Sequence, residues 1–179
     1  MPRKRDLLTR KDILKALERL SEILESRGVK ADLYVIGGAA MALAFKARPS
    51  TRDVDAVFKR KNEVYKAAAQ VAREQDLPDA WLNDGAKKFL GEPDRRPLPI
   101  LDLPGVRLMA GSPEYLLAMK VLADRSDRDR NDLRFLIRLL GVKSMKEVER
   151  LFTEVDPSDE IAEDTRKRLA DLLAQEARD

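Results

Sequence analysis

Cysteine and histidine are both absent from this chain of 179 residues, and each absence removes whole classes of chemistry. Without cysteine there are no disulfide bonds, no thiolate metal sites and no cysteine nucleophile. Without histidine, we do not expect triad hydrolysis with a histidine base or a conventional zinc enzyme. Any catalysis must use carboxylate, Lys, Arg, Ser, Thr or Tyr side chains, together with a cation that prefers oxygen ligands.

Long apolar runs are also absent, because no stretch approaches the ~20 residues of a membrane span. The basic start MPRKRD is not followed by the apolar region of a signal peptide. We therefore expect a soluble, cytoplasmic protein with no membrane partner. Apolar residues make up 44% of the chain and charged residues 37%, which predicts a real core beneath a surface dense in ion pairs.

The net charge of +3 is unevenly distributed along the chain. Residues 1–30 contain nine Lys or Arg against five Asp or Glu, whereas residues 151–179 contain four against nine. A basic front and middle suit a polyphosphate or nucleic-acid partner. A mixed, solvated surface explains the same pattern, and the sequence leaves both interpretations open.

Hydrophobic periodicity predicts a mixed α/β part over residues 1–110. Its predicted elements are a helix capped by Thr9 and Asp12 and ended by Gly28, a strand over 33–36, a short apolar helix over 39–45, a loop over 48–51, a strand over 53–58, a helix over 62–75, an irregular stretch over 76–99, and a hairpin of strands 100–103 and 106–109.

Residues 111–179 predict a helical region that packs on this core. Its helices are expected to begin at Ser112–Pro113, before Leu133, at the capping box Ser144–Glu147 and at Asp156–Pro157. The predicted fold class is α+β: a small mixed sheet with helices, followed by a helical bundle.

Gly37 and Gly38 stand between a predicted strand and a predicted helix. Such a turn directs backbone N–H groups and the positive end of a helix dipole to one point, which suits a phosphate. The chain has neither a Rossmann fingerprint nor a Walker loop. For an isolated pair of glycines, a tight packing turn is the better interpretation.

Asp53 and Asp55 lie on one predicted strand, where residues two apart share a face and are separated by roughly 6 to 7 Å. Two carboxylates at that spacing can hold Mg²⁺ or Mn²⁺ in a phosphoryl-transfer site. In the alternative interpretation, Arg48 and Arg52 pair with these aspartates at a sheet edge. The two interpretations are evenly balanced for this motif alone.

The combination is more specific than its parts. A Gly-Gly turn after a strand, a short helix and then a hydrophobically flanked Asp-x-Asp resemble the nucleotidyltransferase superfamily related to DNA polymerase β. The resemblance implies that Gly37 and Gly38 seat the phosphates of an NTP and that Asp53 and Asp55 hold Mg²⁺ (or Mn²⁺). Many members have Ser at or soon after the second position of the glycine pair. Here the candidate hydroxyls are instead Ser50 and Thr51, and Arg52 completes the predicted nucleotide-binding set.

The segment SPEYLLAMKVLADRSDRDRNDLRFLIRLLG resembles the second half of AbiEii-type and MenT-type nucleotidyltransferase toxins and of a related, poorly characterised prokaryotic nucleotidyltransferase-like family. The family pattern of a helix Lys, an Arg and a later acidic pair falls on Lys120, Arg125, Asp129 and Asp132. The resemblance implies that Lys120 neutralises the phosphates. It also implies that Asp132 accepts a proton from an attacking hydroxyl or anchors Lys120.

Helix geometry sets a condition on these roles. In one continuous helix Lys120 and Asp132 would be ~18 Å apart, so a shared site requires a break near residues 124–127. Without such a site, Lys120 pairs with Asp124 on the next turn, and Asp129 and Asp132 join a surface network with nearby arginines.

Four further positions have weaker signals. Asp102, between two leucines, is the candidate third carboxylate of the superfamily, although Pro104 and Gly105 follow closely and the start of a turn is the better interpretation. Trp81 is expected in the core. Asn83 and Asp84 are candidates for the rim of the pocket.

The predicted function is an Mg²⁺-dependent nucleotidyltransferase that moves a nucleoside monophosphate from an NTP to an acceptor hydroxyl. The resemblance to toxins implies a tRNA 3′ end or a protein hydroxyl as acceptor and a cognate antitoxin as partner. The alternative is a non-catalytic nucleotidyltransferase-like module that binds a nucleotide, RNA or protein, as an antitoxin or regulator. The missing Ser at the glycine turn favours that alternative.

Overall fold

A computed structural model describes residues 6–85, 87, 91–123 and 127–178, without the side chains of residues 127 and 128. The chain forms two compact units. The first comprises Met1–Lys88 and Pro97–Ala110, and the second comprises Phe89–Arg96 and Gly111–Asp179.

The first unit contains all the strands found in the described residues. In chain order its elements are β1 (Leu8–Thr9), α1 (Arg10–Ser26), β2 (Ala31–Val35), α2 (Gly37–Ala44), β3 (Ser50–Thr51), β4 (Val54–Phe58), α3 (Lys61–Gln75), β5 (Leu82–Asn83), β6 (Leu98–Asp102) and β7 (Val106–Ala110). The second unit contains only helices among its described residues: α4 (Pro113–Ala123), α5 (Asp127–Leu140), α6 (Met145–Val155) and α7 (Glu163–Glu176). This is the α+β class that the sequence predicts.

The main sheet has five strands in the order β5-β4-β2-β7-β6. Strand β2 pairs antiparallel with β4 and parallel with β7, while β5 pairs parallel with β4 and β6 antiparallel with β7. A separate two-stranded ribbon joins β1 to β3. Strand β2, which leads into the glycine turn, and strand β4, which carries Asp55, are therefore neighbours in the sheet.

The two faces of the sheet differ because side chains alternate along each strand. On one face the side chains are buried; this face includes Leu33, Val35, Ala56 and Leu108. On the other face, Tyr34, Asp55, Val57 and Met109 are only half-buried. The carboxylate of β4 thus lies on the more accessible face.

Local sequence signals placed several elements correctly. Helix α1 begins at a capping box in which Asp12 N–H donates to Thr9 Oγ1 over 3.2 Å and the Asp12 carboxylate accepts from Thr9 N–H. The β6–β7 hairpin is antiparallel as predicted. Trp81 is fully buried, and its Nε1–H donates to the Ala68 carbonyl over 3.0 Å.

Other local predictions are wrong. The loop over 48–51 contains the short strand β3, because Ser50 and Thr51 pair with β1. Helix α7 begins at Glu163 rather than at Asp156–Pro157. The Asp156 backbone N–H instead donates to the Phe152 carbonyl at the end of α6, over 2.8 Å. Its side chain is also engaged, accepting from Ser158 N–H and Oγ–H.

The helices of the second unit pack as a small bundle, in which α4 contacts α5 and α6 while α7 contacts α5 and α6. The capping box at the start of α6 forms as predicted, with Glu147 accepting from Ser144 N–H over 3.0 Å. The Glu176 carboxylate of α7 binds Arg134 and Arg138 of α5. Within the described part of the chain, every helix is too short or too polar to cross a membrane.

Candidate active site

The glycine turn joins β2 directly to α2. Gly37 has a φ of +64°, in the left-handed region where a side chain is strained. The preceding residue, Ile36, is the N-cap of α2, and its apolar side chain provides no cap hydrogen bond. Ile36 N–H instead donates to the Asp55 carbonyl over 3.0 Å. The turn is thereby fixed beside β4, and the first N–H groups of α2 have no acceptor within the helix itself.

Gly38 lies in the first turn of α2, where the lack of a side chain leaves room for two polar groups. A Cβ atom at this position would lie 2.7 Å from Thr51 Oγ1 and 2.8 Å from Arg48 Nη1. A hydroxyl and a guanidinium therefore occupy the space beside the helix start. Both can donate hydrogen bonds, and the helix dipole adds to the positive potential there.

Thr51, rather than Ser50, supplies this hydroxyl. Successive residues of a strand point to opposite sides, so only one of the two β3 side chains can face α2. Thr51 is buried beside Gly38, and its backbone is held in register by pairing with Leu8 of β1. The hydroxyl thus occupies space that a side chain on residue 38 would need.

The carboxylates of Asp53 and Asp55 are half-buried and separated by the buried Val54. Asp55 Oδ2 lies 3.7 Å from the position of a Cβ on Gly37, so this carboxylate is next to the glycine turn. Asp53 lies immediately before β4. Burial raises the pKa of Asp53, and this effect is opposed by a hydrogen bond from Asn83 and by the charge of Arg52.

Four predicted residues are therefore close together: Gly37, Gly38, Thr51 and Asp55. Asp53 joins them through the strand, two residues from Asp55. Ser50 is half-buried and pairs with Thr9 across the ribbon. Arg52 is exposed and influences the site through its charge on Asp53.

The structure does not bring Asp102 to this group. Strand β6 is separated from β4 by β2 and β7. Asp102 pairs with Arg107 of β7, which pairs with Asp32 near the start of β2, whereas the glycine turn follows the end of β2. Asp102 Oδ1 binds Lys30 Nζ at 2.6 Å, and this hydrogen bond lowers the pKa of Asp102. Its contacts are those of an exposed ion pair.

Lys120 belongs to a charge cluster within the second unit. Its Nζ lies 2.6 Å from Asp129 Oδ1 and 2.8 Å from Asp132 Oδ2. The side chains of Lys120 and Asp132 are 10% and 2% exposed, so this is a buried ion-pair cluster rather than a surface network. It forms because Lys120 is on α4 and both aspartates are on α5, as the predicted break requires.

The predicted partner Asp124 and the predicted Arg125 lie outside the described residues. The Lys120 ammonium donates a hydrogen bond to Asp129 Oδ1, and its contact with Asp132 Oδ2 is an ion pair. Within the described residues, no group of three or more acidic side chains is placed to hold a metal ion. Asp53 and Asp55 remain the carboxylates predicted for a cation at the glycine turn.

Sequence reasoning missed the contact between Asn83 and Asp53. Asn83 Nδ2–H donates to Asp53 Oδ2 over 3.0 Å. It can do so because β5 lies beside β4, with Asn83 paired with Asp55. Asn83 falls in the stretch that the sequence marks as irregular, and the short sequence Trp-Leu-Asn-Asp has no strand periodicity that would have revealed this pairing.

Comparison with known proteins identifies the family. The search of curated proteins and the search of solved structures each found no match. Residues 11–175 match the profile of the DUF6036 family, described as nucleotidyltransferases of unknown function. The match extends through both units and includes the glycine turn, the two aspartates and Lys120. The chain therefore belongs to this nucleotidyltransferase family.

Proposed function

We propose that the protein is an Mg²⁺- or Mn²⁺-dependent enzyme that transfers a nucleoside monophosphate from an NTP to an acceptor hydroxyl. The observation that carries this proposal is the group of donors at the start of α2. Asp55 lies beside Gly37, and the Thr51 hydroxyl and the Arg48 guanidinium lie beside Gly38, the next residue of the turn. Donors with positive potential next to a carboxylate suit a phosphate chain that brings a cation with it.

The carboxylates fit such a cation. Mg²⁺ prefers oxygen ligands and is commonly bound by one or two carboxylates together with substrate phosphates. Asp53 and Asp55 meet that description, and both retain some exposure to solvent. When bound, the cation would neutralise charge on the phosphates during transfer.

The residues of the chain would act mainly by positioning and charge neutralisation. In the reaction an acceptor oxygen forms a bond to the α-phosphorus, the bond from that phosphorus to the β-phosphate bridging oxygen breaks, and pyrophosphate leaves. The acceptor proton passes to solvent or to a carboxylate. Arg48 and the turn N–H groups would hold the leaving phosphates, and Thr51 would orient them.

The proposed roles of Lys120 and Asp132 come from the resemblance to AbiEii-type and MenT-type toxins. Lys120 would bind a phosphate group, and Asp132 would hold the Lys120 ammonium. The ion pair between them fits the anchoring role proposed for Asp132. The same resemblance, with the basic front of the chain, leads us to propose a tRNA 3′ end as the acceptor and an antitoxin as the partner.

Labelling tests the proposal directly. The protein is incubated with Mg²⁺, each α-labelled NTP in turn, and total tRNA. We expect label in the RNA or in the protein, and loss of label in Asp53→Asn and Asp55→Asn, which preserve side-chain shape. Asp32→Asn is the matched control, because Asp32 is an exposed carboxylate on the same sheet that binds Arg107.

Two results would count against the enzyme. If the protein binds NTP but labels neither acceptor, it is a nucleotide-binding module of the non-catalytic class. If Asp53→Asn and Asp55→Asn label as well as the wild type does, the transfer takes place elsewhere or in a contaminant.

A further inference from the structure

Asn83 lies beside the two carboxylates because of how β5 pairs. Strand β5 runs parallel to β4, with Leu82 opposite Val54 and Asn83 opposite Asp55. Leu82 and Val54 are buried on one face, so Asn83 and Asp55 share the other. Asn83 is therefore on the same face of the sheet as the candidate metal ligands.

Both ends of the Asn83 amide are engaged. Its Oδ1 accepts from Gly85 N–H over 3.0 Å, and its Nδ2–H donates to Asp53 Oδ2 over 3.0 Å. The Gly85 N–H can only donate, so the amide atom that it contacts must be the oxygen. The NH₂ group is consequently directed at Asp53, and the orientation of the amide is set by the chain itself.

We propose that Asn83 is a positioning residue, which holds the Asp53 carboxylate through Oδ2, so that Oδ1 would be the oxygen that binds a cation. This inference rests on the proposed function. A carboxylate that binds a metal gains affinity when a neighbouring donor fixes its rotation, because less freedom is lost on binding. Asp53 lies before the first residue of β4, so the contact with Asn83 limits motion that the strand does not.

The variant Asn83→Ser removes the contact with Asp53 alone. The Ser hydroxyl can accept from the N–H two residues on, as Asn83 does from Gly85, but it is too short to reach Asp53. Asn83→Ser thus preserves the local turn and removes only the bond to the carboxylate. Asn83→Ala removes both bonds and should show at least the same loss.

Tyr65→Phe is the matched control for a general loosening of the segment that contains Asn83 and Asp84. The Tyr65 hydroxyl donates to Asp84 Oδ1 over 2.5 Å, next to Asn83 in the chain, while its ring packs edge-on against Phe58. Removing that hydroxyl weakens the adjacent contact of the same segment. It leaves the bond from Asn83 to Asp53 in place.

The measurement is the affinity of the full-length protein for Mn²⁺ alone, by electron paramagnetic resonance, with thermal melting without metal as a check on folding. We expect Asn83→Ser to weaken Mn²⁺ binding about tenfold or more. We expect Tyr65→Phe to bind as the wild type does, and all variants to remain folded.

The possible outcomes distinguish failure of this inference from failure of the proposed function on which it rests. If the wild type does not bind Mn²⁺, the metal-dependent function fails and the inference fails with it. If the wild type binds Mn²⁺ and either Asn83 variant binds it equally well, only the positioning role is wrong. A loss in Tyr65→Phe as large as in Asn83→Ser would also overturn the role, since loosening of the segment would then explain both.

Discussion

Position 38 shows how a single missing side chain shapes the candidate site. The Thr51 hydroxyl and the Arg48 guanidinium both lie where a Cβ on residue 38 would be in close contact. Gly38 is not in the left-handed region, so its backbone would accept alanine. The requirement for glycine here comes from the neighbouring donors, whereas at Gly37 it comes from a φ of +64°.

We predict that Gly38→Ala weakens NTP binding by roughly ten- to hundredfold, because displaced donors lose hydrogen bonds to charged phosphate. Folding should not be weakened to the same degree, since alanine is the better helix former by about 1 kcal/mol. Isothermal titration calorimetry with NTP and urea unfolding measure the two effects.

Gly28→Ala is the control in which alanine strains the backbone but displaces no polar group. Gly28 has a φ of +66°, and no atom of the described residues lies within 4 Å of the place a Cβ would take. Alanine should therefore cost about 1 kcal/mol of stability and leave NTP affinity unchanged. Wild-type NTP affinity in Gly38→Ala would show that the donors beside it do not hold the phosphates.

Among the elements, α4 and α5 are joined by a charge cluster in which one lysine of α4 contacts two aspartates of α5. Lys120 is the cation bound by both Asp129 and Asp132, and Asp132 is almost fully buried. A buried ion pair adds little net stability, but removing one partner leaves an uncompensated charge. The cluster therefore makes Lys120 structurally important whether or not it also contacts a phosphate.

We predict that Lys120→Met lowers the free energy of unfolding by about 3–5 kcal/mol, since Asp129 and Asp132 both lose the ammonium that lies between them. Urea unfolding followed by circular dichroism measures the change. Lys167→Met, at an exposed lysine of α7, should have almost no effect. Adding Asp129→Asn and Asp132→Asn to Lys120→Met should restore part of the loss.

A Lys120→Met variant with wild-type stability and no labelling activity would instead assign this lysine mainly to the substrate. The variant that combines Lys120→Met with Asp129→Asn and Asp132→Asn tests this further. If it folds but does not label, the loss of activity is not caused by a loss of stability.

Elements with a cap or a hydrophobic period were mostly predictable, whereas two-residue strands that exist only through pairing with a distant segment were not. The caps Thr9–Asp12 and Ser144–Glu147 need only neighbouring residues, so the sequence reveals them. The two-residue strand β5 exists through its pairing with β4, and no local period marks it. Asp156 carries a helix-start signal, but its backbone ends α6 instead.

At the scale of the whole molecule, the site also combines features that local sequence reveals with features that depend on strand pairing. The glycine turn and Asp53 with Asp55 are close in sequence, so their spacing was informative. Choosing Thr51 over Ser50 required the β1–β3 pairing, and setting Asp102 apart required the strand order. The family match over residues 11–175 extends through both units, so we expect activity to require the chain as a whole.

The charge distribution of the chain gives a prediction for an RNA acceptor. Residues 1–30 carry nine basic against five acidic side chains, and the last 29 residues have the opposite excess. An RNA bound mainly through phosphate contacts releases counterions, so its affinity falls steeply with salt. An NTP offers far fewer phosphates than an RNA and carries no condensed counterion layer along a chain, so NTP binding should depend on salt much less.

We predict that the affinity of the full-length protein for tRNA falls on the order of a hundredfold when salt is raised from about 50 to about 200 mM, as expected for roughly four phosphate contacts. Filter binding at several salt concentrations measures the slope, with NTP titrations under the same conditions as the reference. A tRNA affinity no more sensitive to salt than NTP binding would contradict an acceptor held by the basic front of the chain. It would instead favour a protein hydroxyl as acceptor, because such an acceptor requires no release of condensed counterions.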